Sequence, residues 1–296
     1  MTRRHAFRTL LAITLLVMYQ NCVTADEPKI GPANGSLVIV GGGAMGEEIR
    51  QRFIELAGGK DAHIVVIPTA SGEEEYTSRN SGEQMWKSMG VEHVTMLHTY
   101  DREIADTDEF VEPLKTATGV WFGGGRQWRL ADSYLNTKTH AALWEVLNRN
   151  GVIGGSSAGA TIQGSYLARG DSKTNVIMRG DHQEGMSFLK NVAIDQHLLA
   201  RNRQFDMLEI IEAEPHLLGI GLDEGTAIVV QQDTFEVIGA TYVAVYDPEQ
   251  IKTQREAGRY LPFFLLHPGQ KFDLETRRIM QRGTPFDLPL PRSATP

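Results

Sequence analysis

The sequence predicts an α/β fold, in which a mostly parallel β-sheet carries helices on both faces. Short segments that are apolar throughout alternate with segments whose apolar residues recur at helical spacing. Strands that are apolar on both faces are typical of a sheet that is covered on both sides. Glycine-rich turns follow three of these strands, and ligands bind beyond the carboxyl ends of strands in such sheets.

The first strand is predicted at residues 36–40, which end at three consecutive glycines. Residues 45–57 follow with apolar side chains at helical spacing, so we expect a helix there. The alternation continues with strands at 63–68, 94–98, 119–122 and 151–155, and with helices at 79–89, 106–117 and 137–148. Later strands are predicted at 192–195, 225–231 and 236–246, the last two as an antiparallel edge or hairpin.

The chain of 296 residues is predicted to consist of an N-terminal targeting segment followed by one domain. Three arginines precede a short apolar run, and residues 23–25 form a small-residue cleavage site, so residues 1–25 are predicted to be a signal peptide. The apolar run is too short to span a bilayer. No other apolar run approaches 18 residues, so no stable membrane association is expected after cleavage. We predict a flexible segment at 26–35, a single α/β domain at 36–280 and a Pro-rich tail at 281–296.

Composition limits the partners and the compartment. Without residues 1–25 the chain has 26 basic and 37 acidic residues, a net charge of −11. Nucleic-acid-binding proteins carry basic surfaces, so no nucleic acid is expected as a partner. The one cysteine, Cys22, lies in the signal peptide, which suits a secreted or periplasmic protein. No metal or other cofactor is expected, because the sequence has no HExxH pattern, cysteine pair or histidine cluster.

The strongest motif surrounds Ser157. Residues 155–159 match the G-x-S-x-G pattern of a nucleophile elbow, and they lie between an apolar strand and a helix-compatible run at 160–167. A serine in such a turn is exposed at a helix N-terminus, where N–H groups stabilise an oxyanion. We predict Ser157 as the nucleophile, with the N–H groups of Ala158 and Gly125 as oxyanion donors; a Gly/Ser turn without catalysis is the alternative.

A serine nucleophile needs a base, and the base needs a carboxylate that orients it. His197 stands at the end of an apolar strand, where catalytic loops begin, and is predicted as the base. The choice of carboxylate stays open among Asp171, Asp181, Glu184, Asp195, Asp223 and Glu224. We favour Asp171, which lies in the turn after the elbow helix.

Four segments resemble the cyanophycinase family of serine peptidases. They are residues 154–160, Asp195-Gln196-His197-x-x-x-Arg201-x-Arg203, Gly123-Gly124-Gly125-Arg126-Gln127, and residues 221–227. The segment from Asp195 to Arg203 is the most specific, since the wider clan shares the elbow without it. The resemblance covers residues 36–245. The family pattern continues with another arginine where this chain has Asp206, which leaves the fine specificity open.

This resemblance implies a flavodoxin-like sheet shared with class I glutamine amidotransferases, and a Ser157–His197 pair. It implies hydrolysis of cyanophycin, a poly-aspartate with arginine on each β-carboxyl, to β-Asp-Arg dipeptides; the serine predicts an acyl-enzyme. Residues that would line the substrate pocket are Gln127, Asp195, Gln196, Arg201 and Arg203. Arginines bind carboxylates bidentately, and the acidic net charge favours cyanophycin or another Asp/Arg-containing peptide. The family is often dimeric, so a homodimer is one option, and the oligomeric state stays open.

Other classes of protein fit parts of the sequence. An aspartyl dipeptidase of the same clan would share the elbow but lack the segment from Asp195 to Arg203. An α/β-hydrolase esterase has its histidine far nearer the C-terminus than 40 residues after the serine. Residues 41–46 also fit the dinucleotide pattern G-x-G-x-x-G, but the acidic residue expected after the second strand is missing. A periplasmic binding protein without catalysis would tolerate loss of the Ser157 hydroxyl.

Overall fold

The computed structural model describes residues 28–281, which form two β-sheets and eight α-helices. The strands are β1 (Ser36–Val40), β2 (His63–Ile67), β3 (His93–Met96), β4 (Gly119–Phe122), β5 (Val152–Ser156), β6 (Gly164–Tyr166), β7 (Leu189–Asp195), β8 (Leu218–Leu222), β9 (Thr226–Gln231), β10 (Thr234–Gly239), β11 (Val243–Tyr246), β12 (Phe264–Leu266), β13 (Lys271–Asp273) and β14 (Arg278–Gln281). The helices are α1 (Glu47–Leu56), α2 (Glu83–Lys87), α3 (Arg102–Ala105), α4 (Gln127–Tyr134), α5 (Lys138–Asn148), α6 (Ala158–Thr161), α7 (Met207–Ala213) and α8 (Pro248–Glu256).

The larger sheet has nine strands in the order β14-β13-β10-β9-β1-β5-β4-β2-β3. The five strands from β1 to β3 in this order run parallel, and every residue of β1 and β4 is buried. Both faces are therefore covered, as the unbroken apolar sequences predict. The α/β fold class is confirmed. The remaining four strands pair antiparallel, so a mostly parallel arrangement describes only the part of the sheet that precedes Ser157 in the chain.

Five further strands form a second sheet, in the order β12-β11-β8-β7-β6, which the sequence pattern does not separate from the first. The strand predicted at 236–246 is in fact divided, because β10 stays in the first sheet while β11 pairs with β8 in the second. The two sheets share one apolar core: Leu37 and Ile39 belong to the same buried cluster as Val192 and Ile194. This shared core fixes the end of β7 against the carboxyl end of β1.

Two predicted helices differ from the structure. The elbow helix predicted at 160–167 is a single turn, because β6 begins at Gly164. The helix predicted at 106–117 is absent: the short α3 ends at Ala105, before this range, and within it the structure has turns and a 3₁₀ helix at Glu112–Lys115. Asp101 starts α3 early by accepting hydrogen bonds from two backbone N–H groups, and Pro113 disfavours an α-helix through residue 112.

The structure describes residues 28–35 of the segment predicted to be flexible, and part of it contacts the domain. The carboxylate of Asp233 accepts hydrogen bonds of 2.8–2.9 Å from the backbone N–H groups of Lys29, Ile30 and Gly31. These charge-assisted bonds hold the segment against the turn between β9 and β10. The predicted signal peptide and residues 282–296 of the predicted tail lie outside the described residues. Among residues 28–281, no helix has the length and apolar character needed to cross a membrane.

Candidate active site

Three glycine-rich turns meet around Ser157. Strand β5, which ends just before Ser157, lies between β1 and β4, so the turns after β1 and β4 flank it. The Ser157 N–H donates to the carbonyl oxygen of Val40 at 3.0 Å, which ties the elbow to the end of β1. On the other side, a Cβ at Gly124 would lie 3.4 Å from the Ser157 Cβ. The sheet order thus brings together turns that are separate motifs in the sequence.

Ser157 has a backbone conformation that is unusual for a residue with a side chain, φ 56° and ψ −112°. Such strain costs about 1–3 kcal/mol and persists only where the surroundings hold it. Gly155 and Gly159 permit the sharp turn, because a Cβ at Gly155 would lie 2.2 Å from the Gly159 carbonyl oxygen. The geometry is that of a nucleophile elbow, which projects the serine hydroxyl away from the strand.

The imidazole of His197 reaches Ser157 from the second sheet. His197 follows the end of β7, has a φ of 55° and donates its N–H to the Gly41 carbonyl oxygen at 2.7 Å. Its Nε2 lies 2.9 Å from the Ser157 Oγ, and the side chain is buried. This distance is within reach for transfer of the hydroxyl proton to the imidazole.

The carboxylate that orients His197 is that of Glu224, in the turn between β8 and β9. Its Oε1 lies 2.5 Å from the His197 Nδ1. A proton on Nδ1 is held toward this carboxylate, which leaves Nε2 free to accept the proton of Ser157. Glu224 is therefore the third member of a hydroxyl–imidazole–carboxylate chain.

The choice of Asp171 for this position is wrong. Its carboxylate accepts hydrogen bonds from the N–H groups of Lys173 and Thr174, so it stabilises its own turn. Glu224 was among the candidates, and the pairing of neighbouring strands would have identified it. Strands β7 and β8 are parallel neighbours with Asp195 opposite Gly221, so the residues that follow the two strands lie side by side.

Asp223, another of the candidates, holds the turn that follows His197. Its Oδ1 accepts hydrogen bonds of 2.9 Å from the N–H groups of both Leu199 and Ala200, and its Oδ2 accepts one from the Thr241 hydroxyl. The two adjacent acidic residues thus have different tasks: Asp223 fixes the backbone around the histidine, and Glu224 contacts the ring.

Gly42 and Gly43 leave the space that His197 and Glu224 occupy. A Cβ at Gly42 would lie 2.3 Å from the His197 Cε1, and a Cβ at Gly43 would lie 2.6 Å from the Glu224 Oε2. Both glycines have positive φ angles, 110° and 67°, at which a residue with a side chain is strained. The G-x-G-x-x-G match at 41–46 is therefore explained by close packing of the His–Glu pair on the backbone rather than by a dinucleotide.

Replacing Gly42 with alanine is expected to lower kcat/KM about 100-fold, because the methyl group displaces the imidazole by about 1 Å or more. Steady-state kinetics measures the loss, and circular dichroism confirms folding. Gly46→Ala is the matched control, since nothing lies within 4 Å of its Cβ position, and its activity should stay within about twofold of wild type. Equal activity of the two variants would contradict this account of the first glycine turn.

Four of the five residues predicted to bind substrate are buried and bonded within the protein. The Gln127 Nε2 donates to two backbone carbonyl oxygens, and Asp195 is wholly buried and paired with Arg169. The Arg203 Nη1 donates to the Gln196 Oε1 at 2.9 Å. These contacts hold the loops around Ser157. Substrate contact is therefore wrong for Asp195, and the other three act first as supports of those loops.

Arg201 is exposed, and its charge acts on His197. Within residues 28–281 no carboxylate forms a salt bridge with Arg201, so its guanidinium is available to a ligand. Burial lowers the pKa of His197; Glu224 raises it, and the positive charges of Arg201 and Arg203 lower it further. The net result is a lowered pKa, which keeps the imidazole neutral and able to accept a proton near pH 7.

The predicted oxyanion donors lie on two turns that border Ser157. The first backbone hydrogen bond of α6 is the one that the Ala160 N–H donates to the Ser157 carbonyl oxygen. The Ala158 N–H lies before this first hydrogen bond of the helix. Gly125 has a φ of 141° and packs against the Ala70 carbonyl oxygen, where a Cβ would lie at 2.0 Å. Because α6 is one turn long, individual N–H groups rather than a helix dipole would stabilise the oxyanion.

Serine hydrolases on unrelated folds share this relation of hydroxyl, imidazole and carboxylate, and they are recognised by its geometry. The fold and the site therefore define an α/β serine hydrolase. No group of three or more side chains in residues 28–281 could hold a metal ion. The chain belongs to peptidase family S51, whose family model matches residues 37–238, and it is a serine-type peptidase.

Within that family the chain is similar to cyanophycinases. It is 33% identical over 266 residues to the cyanophycinase of Synechococcus elongatus, which covers 83% of this chain and 81% of that protein. It is 29% identical over 272 residues to the cyanophycinase of Nostoc sp. (strain PCC 7120), which covers 86% of this chain and 91% of that protein. The family resemblance predicted from the four motifs is confirmed, and the peptidase is of the cyanophycinase type.

Solved structures agree with the fold. The crystal structure of a peptidase from an acI-B1 Actinobacterium has a TM-score of 0.62 and 27% identity, and the match covers 81% of this chain and 97% of that one. A putative peptidase E protein from Listeria monocytogenes EGD-e has a TM-score of 0.51 and 18% identity, over 70% of this chain. At that identity the second match supports the fold alone.

Proposed function

We propose that this chain is an exported enzyme that hydrolyses cyanophycin to β-Asp-Arg dipeptides through an acyl-enzyme. The observation that carries the proposal is the Ser157–His197–Glu224 geometry in a chain that is similar, over most of its length, to cyanophycinases. The site supplies the chemistry of amide hydrolysis, and the relatives supply the class of substrate.

In the proposed mechanism, the His197 Nε2 takes the proton of Ser157 as Oγ attacks a backbone carbonyl carbon of the poly-aspartate chain. The oxyanion that forms accepts hydrogen bonds from the N–H groups of Ala158 and Gly125. The imidazolium, stabilised by Glu224, then protonates the leaving amine, and the C–N bond breaks to give an ester on Ser157. His197 next removes a proton from water as the water oxygen attacks the ester carbonyl carbon. The second oxyanion then collapses, the bond from the acyl carbon to Oγ breaks, and the imidazolium returns its proton to Oγ, which restores Ser157 and releases the acid.

The charges of the chain support an arginine-bearing substrate. The chain without residues 1–25 has a net charge of −11, which attracts a polymer with a guanidinium on every branch. The exposed guanidinium of Arg201, close enough to His197 to lower the pKa of its imidazole, is suited to a carboxylate of the same substrate. The acidic net charge therefore suits the guanidinium of the β-Asp-Arg unit, and the guanidinium of Arg201 suits its carboxylate.

The experiment that tests this proposal is digestion of insoluble cyanophycin by residues 26–296, with the products identified by mass spectrometry. Release of β-Asp-Arg supports the proposal. Parallel incubations with free α-aspartyl dipeptides test the aspartyl dipeptidase alternative, which predicts cleavage of the dipeptides and an intact polymer. No cleavage of the polymer by a folded enzyme would contradict the proposed substrate.

Export is tested separately by expression of the full chain and N-terminal sequencing of the protein released from the cytoplasm. A mature protein that begins at Asp26 is expected. A chain that stays in the cytoplasm with Met1 or Thr2 at its N-terminus would overturn the export part of the proposal and leave the catalytic part intact.

The pH dependence of kcat/KM should report the lowered pKa of His197. Activity requires the neutral imidazole, so kcat/KM should fall on the acid side with a midpoint below 6.5, the ordinary pKa of histidine. Arg201→Gln removes a nearby positive charge. Loss of this charge stabilises the imidazolium of His197, so the midpoint should move to higher pH. Lys190→Gln, at the opposite end of β7, is the control and should leave it unchanged. An Arg201→Gln midpoint equal to that of the control would contradict the charge effect.

A further inference from the structure

Arg169 is a buried arginine whose guanidinium uses all of its hydrogen-bond donors. Its Nε and Nη2 bind the two oxygens of Asp195 at 2.8 and 2.9 Å. Nη2 also donates to the Asp206 Oδ2 at 2.6 Å, and Nη1 donates to the carbonyl oxygens of Asn175 and Val176 at 3.2 and 3.3 Å. A guanidinium has five N–H donors, so these five bonds satisfy it fully. Only 2% of the side chain is exposed.

These bonds connect four parts of the chain, two of which lie next to residues of the site. The guanidinium joins the end of β7, the start of α7 and the loop at 175–176. Through its backbone, Arg169 also joins the start of α4, directly after the turn that follows β4, since its carbonyl oxygen accepts a hydrogen bond of 2.9 Å from the Gln127 Nε2. Its N–H donates to the Met178 carbonyl oxygen at 3.0 Å. One residue thus links the loop that carries His197 to the loop that carries the predicted oxyanion donor.

The connection to His197 is short. Asp195, which Arg169 grips with two parallel bonds, lies two residues before His197, and its Oδ1 also accepts the Gln196 N–H at 2.9 Å. Arg203 donates to both the carbonyl oxygen and the Oε1 of Gln196. The backbone that enters the left-handed conformation of His197 is therefore held on both sides by buried guanidinium groups. A displacement at Asp195 is therefore expected to move the backbone of His197, two residues further on.

We propose that Arg169 is a positioning residue for catalysis. Through Asp195 it holds the backbone that aims His197 at Ser157, and through Gln127 it keeps the turn after β4 in register with that histidine. Arginine is needed because a planar fork binds a carboxylate with two bonds and still reaches two carbonyl oxygens, which the compact ammonium of lysine cannot do. This inference rests on the assignment of Ser157 and His197 in the proposed function, although it does not depend on the substrate.

The test compares Arg169→Lys and Arg169→Met with wild type. Both should lower kcat at least about 10-fold, and KM should change less than about twofold, because the histidine is misaligned while the substrate surface stays in place. Asp206→Asn should lower kcat less than about threefold, since the two-bond contact with Asp195 remains. Arg179→Lys is the matched control, because Arg179 lies in the same loop with a partly exposed guanidinium, and wild-type kinetics are expected.

A second readout separates this inference from the identity of the substrate. A fluorophosphonate reacts with an activated serine: Oγ bonds to phosphorus, fluoride leaves, and the imidazole takes the hydroxyl proton. The rate of Ser157 labelling should fall in Arg169→Lys in proportion to kcat, measured well below the melting temperature of each variant. If wild type labels rapidly but leaves cyanophycin intact, the proposed substrate fails, and the labelling rates still decide the role of Arg169.

If folded Arg169→Lys labels and turns over at the wild-type rate while only its melting temperature falls, Arg169 serves stability alone and the inference is overturned. Because Arg169→Met removes the cation that binds the wholly buried carboxylate of Asp195 with two bonds, this variant can fail to fold. Arg169→Lys keeps a positive charge in that place, and its rates then decide the question.

Discussion

Ser157→Ala is expected to lower kcat/KM by about 10⁴-fold or more, because the attacking oxygen is removed while the binding surface stays in place. The structure places the Ser157 Oγ 2.9 Å from the His197 Nε2, and no other hydroxyl is described at that distance from this nitrogen in residues 28–281. The residual rate should come from the oxyanion donors and from substrate binding alone. The activities of wild type and Ser157→Ala are both measured as the release of soluble product from cyanophycin over hours.

Ser156→Ala is the matched control for this substitution. Ser156 is the last residue of β5, next to the proposed nucleophile, but without its strained backbone. Its kcat/KM should remain within about threefold of wild type. Equal loss in the two variants would indicate damage to the elbow rather than loss of a nucleophile, and full activity of Ser157→Ala would exclude the serine mechanism.

Glu224→Gln is expected to lower kcat about 10³-fold. An amide has nearly the shape of the carboxylate, but it no longer stabilises the imidazolium and permits the wrong tautomer of His197. Loss of a fully buried orienting carboxylate costs about 10⁴-fold in serine proteases. A smaller loss is expected here because 39% of the Glu224 side chain is exposed, so water replaces part of its hydrogen bonding. Single-turnover kinetics or the fluorophosphonate labelling rate measures the effect on chemistry.

Asp171→Asn is the isosteric control, because the same change of charge is made in a carboxylate that binds only its own turn. Its kcat should stay within about threefold of wild type. The pair of variants distinguishes the two candidates for the third member of the site. A large loss in Asp171→Asn together with a small loss in Glu224→Gln would reverse the assignment made from the structure.

Much of the first sheet was predictable because its signals are local. An apolar run of about five residues, bounded by glycines, indicates a buried strand from the sequence alone. Strands β1, β2, β4 and β5 lie within one residue of their predicted bounds. The same reasoning fails for the helix predicted at 106–117, where capping by Asp101 and the presence of Pro113 divide a pattern that periodicity treats as continuous.

The candidate site was predictable in two of its three members. Ser157 lies in a motif five residues long, and His197 follows an apolar strand, so neighbouring residues identify both. Glu224 lies 27 residues from His197, and six carboxylates were equally available to sequence reasoning. Asp195 is the converse case: its place in a specific motif suggested contact with substrate, whereas burial and Arg169 make it a support.

By itself the sequence determined the α/β class and the family, and it predicted Ser157 as the nucleophile and His197 as the base, because periodicity, turn residues and short motifs are properties of neighbouring residues. Only the tertiary structure decided which carboxylate meets His197, why Gly42 and Gly43 are glycines, and that Arg169 holds the backbone behind the histidine. These contacts join residues from two sheets, and they depend on the strand order and the shared core. Distances between such segments are set by packing, which no local pattern in the chain records.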